Sequence, residues 1–165
     1  MSKSFQKITP YLWFDSQAEE AVNFYISLFG NSRIKSINHY GESGAKLSGM
    51  PEGSVMTIVF ELAGQEFAAF NAGPHFKFNE AVSFVVNCDS QQEVDELWEK
   101  LSEGGAKQPC GWLKDKFGLS WQIIPTIFTD MITDSDPEKT ERVMSAMYKM
   151  TKLEIDKLVQ AYEGK

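Results

Sequence analysis

Residues 78–125 read FNEAVSFVVNCDSQQEVDELWEKLSEGGAKQPCGWLKDKFGLSWQIIP, and the order of patterns within them decides the fold. An apolar run at 81–86 gives way to helical spacing over 90–102, and a polar, Trp-rich segment with strand character follows. Residues 11–30 carry the same strand-then-helix pattern. At an offset of 73 residues Trp13 falls on Val86, Ser16 on Asp89, Glu19 on Gln92, Ala21 on Val94, Phe24 on Leu97, Tyr25 on Trp98 and Leu28 on Leu101. Each copy sets an N-cap side chain three residues before a Glu or Gln, the reciprocal pattern that satisfies orphan backbone donors at a helix start. The chain is therefore expected to hold one module twice.

Outward from that stretch, residues 8–14 read as a buried strand and 16–29 as a helix ended by Gly30, with Ala21, Phe24, Tyr25 and Leu28 on one side. Residues 33–40 read as a strand, and the Gly-rich GESGAKLSGMPEG at 41–53 as a surface loop or pocket flap. Residues 54–62 alternate Met56, Ile58, Phe60 and Leu62 against Val55, Thr57, Val59 and Glu61, and a turn at 63–65 predicts a hairpin into 66–71. The second copy predicts strands at 81–86, near Lys107, at 112–114 and at 119–124, around a turn at Lys116-Phe117-Gly118. Beyond Pro125 come a short helix at 127–133, a helix capped by Asp136 with Pro137 at its first position, and a last helix opened by a Thr151-to-Glu154 capping box.

Composition narrows the function classes. A chain of 165 residues buries roughly two thirds of its extended surface and needs no covalent staple. Two cysteines, Cys88 and Cys110, give no disulfide framework, and the polar start MSKSFQKITP is no signal peptide, so a reducing cytoplasm is expected. No apolar run reaches the roughly 18 residues of a membrane span. A net charge of −7 argues against nucleic acid as partner, since Lys107, Lys114 and Lys116, with Asp115 among them, scarcely make a basic face.

The segments AVSFVVNC at 81–88, EVDELWEKL at 93–101, CGWLKDKFGLSWQIIP at 110–125 and DPEKTERVMSAMYKMTKLEIDKL at 136–158, with PYLWF and EEAVNFY earlier, resemble the vicinal oxygen chelate superfamily of glyoxalase I, extradiol dioxygenases and bleomycin and fosfomycin resistance proteins. They are most similar to its PhnB-like branch, often labelled 3-demethylubiquinone-9 3-methyltransferase. The resemblance implies an α+β fold in which two βαβββ modules form curved mixed sheets around a small-molecule cavity, commonly in a homodimer. It implies one domain over 1–165, with modules at 6–72 and 78–125 and helices at 126–165. Metal-dependent members take ligands from the first and last strands of each module. Here those places offer residues 8–11, Asn71, Glu80 or Ser83, and Gln122, a set poor in carboxylates and imidazoles, so no tightly held divalent metal and no other cofactor is expected.

For catalysis the candidates are His75 in the loop NAGPHF as a base near neutral pH, Cys110 as a nucleophile if Lys107 or Lys114 activates it, and Glu80. Each also has a plain structural reading: an exposed loop histidine, a small buried hydrophobe, a surface carboxylate. Asp115 reads as a turn residue and Lys114 as a solvated one. For a ligand pocket the candidates are Tyr11, Trp13, Asn71, Ser83, Trp112 and Gln122, since aromatics with a few amides suit flat or amphipathic organic molecules. Of the neighbours Trp121 and Gln122, which point to opposite faces, the amide is expected to face the pocket. Three readings follow: a small-molecule binding module, which the donor inventory favours; an enzyme of the same superfamily, whether a lyase or isomerase on vicinal oxygens or the methyltransferase of the label; and a structural dimer without ligand.

Overall fold

A computed structural model describes residues 6–165, so the opening MSKSF, part of the segment read for a signal peptide, lies outside the described residues. The chain divides into two compact units, one ending at Lys77 and the other beginning at Phe78. The first runs β1 Tyr11–Phe14, α1 Ala18–Leu28, β2 Arg33–His39, α2 Glu42–Ser48, β3 Val55–Leu62 and β4 Gln65–Asn71. Its sheet has the order β1-β4-β3-β2, with β1 parallel to β4 and the other pairs antiparallel. The β3–β4 hairpin turns on Ala63 and Gly64, both at positive φ, as a two-residue primed turn requires. Alternation then sends Leu12, Phe14, Ile58, Phe60, Phe67 and Ala69 into the core beneath α1, whose buried side is Ala18, Ala21, Val22 and Tyr25.

The second unit repeats the plan: β5 Ser83–Cys88, α3 Gln91–Ser102, β6 Ala106–Lys107, β7 Trp112–Lys114 and β8 Ser120–Pro125, in the order β5-β8-β7-β6. Here β5 is parallel to β8, and the remaining pairs are antiparallel. Cys88, Leu113, Trp121 and Ile123 are buried on the α3 side with Val94, Leu97, Trp98 and Leu101. The duplicated βαβββ module is thus present, with mixed sheets and appended helices, as the sequence pattern indicated.

The matched caps are not. Three residues separate Phe14 from α1, but only two separate Cys88 from α3, so the strands align one residue later than the helices. Ser90, not Asp89, is the second N-cap; it accepts from the Glu93 amide at 3.2 Å while Glu93 Oε2 accepts from the Asp89 amide at 2.8 Å. At the first helix Gln17 takes the cap position with no side-chain bond, and Ser16 has no capping role. The donor is met from afar: Asn71 Oδ1 accepts from Ala18 N at 2.9 Å, and Asn71 Nδ2 donates to the Val55 carbonyl at 3.1 Å.

Two further expectations change. The Gly-rich segment contains helix α2, ended by Gly49 in the left-handed region, where only a residue without a Cβ sits unstrained. The Thr151 capping box does not form: the last helix starts at Ile155, whose N–H donates to Gln91 Oε1 at 2.7 Å. By contrast Asp136 does cap its helix, accepting from the amides of Glu138 and Lys139 ahead of Pro137.

The appended helices are α4 Thr126–Ile132, α5 Pro137–Met147 and α6 Ile155–Glu163. Each is short, and together they borrow a core from the sheet: Phe128, Met131, Val143, Met147, Leu153 and Leu158 pack with Ile124 at the end of β8. Arg142 on α5 donates to the carbonyls of Ala161 and Tyr162, closing the C-terminal end of α6. Among the described residues no helix is long and apolar enough to cross a membrane.

The remote cap sets a measurable contrast. Asn71→Ala leaves buried backbone groups at α1 and β3 unpaired, at roughly 1–3 kcal/mol for each, whereas Ser16→Ala changes stability by less than about 0.5 kcal/mol. Urea denaturation of the two variants checks the difference.

Candidate functional site

In each sheet one face packs against the helix of its own module, α1 or α3, and the face opposite that helix is the open face. On the second sheet the register places Ser83, Ser120 and Lys114 in one row across β5, β8 and β7, and Val85, Gln122 and Trp112 in the next. Alternation puts both rows on the face opposite α3. Of the pair singled out above, Trp121 turns toward the helix side and is buried, while Gln122 is half-buried on the open face. Gln122 Nε2 donates to Ser83 Oγ at 2.9 Å. Its carbonyl oxygen has no protein partner among the described residues. Ile124, two positions on, is covered by the appended helices, so these helices close one end of the face.

At the other end stands a charged pair. Lys114 Nζ lies 2.5 Å from Glu80 Oε1, and Gln108 Nε2 reaches the same oxygen at 3.5 Å. The hydrogen bond from Lys114 holds the Glu80 carboxyl below its ordinary range. Lys114 is therefore not simply solvated, and neither it nor Lys107, which pairs with Glu99 at 2.6 Å, is turned to Cys110. Between Ser83 and Lys114 sits Ser120, fully buried, whose hydroxyl has no hydrogen-bond partner among the described residues. An unmet buried hydroxyl costs roughly 1–3 kcal/mol.

On the first sheet the open face carries Tyr11, Trp13 and Phe70. Tyr11 is 61% exposed, with its hydroxyl 3.4 Å from Thr57 Oγ1. Trp13 donates to the Gly73 carbonyl at 2.9 Å and is met edge-on by Phe70 and Phe76. Asn71 is on the other side, buried, both ends of its amide committed to α1 and β3, which leaves it nothing to offer a ligand. Tyr11 and Trp13 thus share one face, and Ser83, Trp112 and Gln122 share another.

His75 is exposed, with the Trp13 ring 6.4 Å away and no carboxylate orienting it among the described residues. Cys110 sits at positive φ in the turn before β7, where its N–H donates to Met150 O at 2.9 Å and its side chain packs on the helical cluster. Cys88 is buried, and burial pushes its thiol up to about 12. Sequence reasoning missed Lys114, Ser120 and Gln108. The first two were signalled by period two, since they share parity with Trp112 and Gln122; Gln108 has no such signal.

A divalent metal does not fit this donor set. Glu80 is engaged by Lys114, Gln122 presents its amide nitrogen to Ser83, and among the described residues no three His, Cys, Asp or Glu side chains converge.

The sequence pattern of the 3-demethylubiquinone-9 3-methyltransferase family matches residues 6–124. The PhnB protein from Bacillus cereus is 40% identical over 73% of this chain and 100% of its own, with a TM-score of 0.64. Protein PA1353 from Pseudomonas aeruginosa is 25% identical over 74% of this chain and 98% of its own, with a TM-score of 0.59. The fosfomycin resistance protein FosX from Listeria monocytogenes shares the fold alone, at 12% identity over 81% of this chain and 100% of its own, with a TM-score of 0.52. No protein of curated function matches. The repeated βαβββ plan is that of the vicinal oxygen chelate superfamily. Within it the chain belongs to the 3-demethylubiquinone-9 3-methyltransferase family, the PhnB-like branch.

Two outcomes test the chemistry of the site. Ser120→Ala removes an unmet hydroxyl and is expected to leave the melting temperature unchanged or raise it, by thermal denaturation. In native protein at pH 8 a thiol alkylating reagent is expected to leave Cys88 unmodified until denaturant is added, since its thiolate is scarce and buried; peptide mass mapping reads this.

Proposed function

We propose that this protein binds a small organic molecule on the face of its second sheet opposite α3, without a tightly held metal, as a homodimer of a reducing cytoplasm. The observation that carries the reading is the Gln122–Ser83 pair beside Trp112. An amide fixed by one hydrogen bond keeps a free carbonyl acceptor, next to an aromatic face, which is the composition of an orienting site for a flat or amphipathic ligand. Val85, 50% exposed in the same row, extends the apolar part.

Binding is favoured over catalysis because, among the described residues, no carboxylate orients His75, the Cys110 side chain packs on the helical cluster, and Glu80 is engaged by Lys114. The family's methyltransferase name finds no support in the strand-to-helix turns, Asp15-Ser16-Gln17 and Asp89-Ser90, which lack the glycines that bring a nucleotide-type cofactor against the backbone in doubly wound folds. Support for the homodimer comes from apolar surface on the appended helical region, where Tyr148 is 65% and Ile127 37% exposed.

Native mass spectrometry of untagged protein, before and after denaturation, tests the proposal. A small organic molecule carried by a dimer and released on unfolding is the expected result, with at least a roughly tenfold lower occupancy in Gln122→Ala, the size of a lost hydrogen bond in a binding site. An apo protein that retains nothing and binds no member of a metabolite extract would overturn it.

A further inference from the structure

We infer that the Lys114 end of this face recognises the acid group of a small aromatic carboxylate, which displaces Glu80 from Lys114; the inference rests on the reading of the face as a ligand site. The geometry has two rows about 7 Å apart along the strands, the spacing of residues i and i+2. One row, Ser83, Ser120 and Lys114, is polar, and the next, Val85, Gln122 and Trp112, is apolar at its two ends. A ligand with a carboxylate at one end and a ring at the other matches this division, and Lys114 is the one cation in the two rows.

One observation points to an acceptor missing from the polar row, and a second shows that the cation of the row already takes a carboxylate. Ser120 has a buried hydroxyl with no partner among the described residues, and a carboxylate oxygen accepts an O–H donor well. Lys114 already holds a carboxylate, that of Glu80, from the segment just before β5. That internal pair is weakly held: the Glu80 side chain is 48% exposed and that of Lys114 31%, so exchanging one carboxylate for another costs little. Glu80 thereby keeps Lys114 from remaining an unpaired half-buried charge and competes with the ligand. The gain on exchange comes from Ser120 and from the ring against Trp112.

Fluorine NMR titration of the intact protein with 4-fluorobenzoate, and in parallel with neutral 4-fluorobenzamide, tests this. The benzoate is expected to bind roughly tenfold more tightly than the benzamide, the scale of a charge-assisted hydrogen bond. Glu80→Gln removes the competitor and is expected to tighten benzoate several-fold with no change for the benzamide. Lys114→Met abolishes the preference, and Ser120→Ala weakens benzoate without lowering the melting temperature. Equal binding of the two probes, or no response to Glu80→Gln, overturns the assignment of an acid group while leaving the face as a ligand site. Failure of both probes to bind wild type and Glu80→Gln overturns the aromatic acid as ligand class, with the broader proposal still decided by mass spectrometry.

Discussion

The carboxylate of Asp115, only 2% exposed, holds three donors at once: the amides of Phe117 and Leu119 on Oδ1, and the indole of Trp121 on Oδ2, all within 3.0 Å. A buried carboxylate is tolerable only when donors replace its water, and here these three donors come from the six residues that follow it. The knot therefore fixes the turn between β7 and β8 and, through the bond to Trp121, which face of β8 looks at α3. A slip of one residue would exchange Trp121 with Gln122 and Leu113 with Trp112. The open face that carries the proposed site is thus a consequence of a residue that never touches it. Gly105 guards the same region from the edge, because a Cβ there would fall 2.0 Å from the Lys114 carbonyl.

A second constraint is shared by the two units and met by the same chemistry. Helices α1 and α6 lack a side-chain cap of their own, and each receives an amide from elsewhere, Asn71 for α1 and Gln91 for α6. Gln91 also donates to the Leu153 carbonyl and to Asp95, so the start of α3 anchors the start of the last helix. An amide serves these places because it donates and accepts together, meeting an orphan N–H and a neighbouring carbonyl with one side chain. Asn71 illustrates the price: committed to the backbone, it is lost to ligand binding.

The polar row of the second sheet shows the opposite economy. Ser120 keeps a hydroxyl that the fold does not satisfy, and the Lys114–Glu80 pair sits where exposure makes it exchangeable. Natural sequences retain such locally unfavourable choices where function asks for them. Everything around that row is tightly determined, by the Asp115 knot on one strand connection and by the helical cluster at Ile124.

Much of the fold was legible because its causes are local. Alternation in residues 55–62, the helical spacing of Ala21 with Tyr25 and of Val94 with Trp98, and Asp136 ahead of Pro137 each involve neighbours a few positions apart, and each is realised. Period two puts Trp121 and Gln122 on opposite faces, and the cost of burying an unpaired amide selects Gln122 for the open one. What the sequence did not disclose depends on partners far along the chain. Ala18 is capped by a residue 53 positions away and Ile155 by one 64 away, so Ser16 and Thr151 looked like caps only while those amides were out of view. The pairing of Lys114 with Glu80, the occupation of Asn71 and the unmet hydroxyl of Ser120 likewise arise only when strands lie side by side. Local periodicity determined the elements and their faces; tertiary proximity alone decided which polar groups are spent on the fold and which are left for a ligand, because a hydrogen bond is set by distance in space and not by position in the chain.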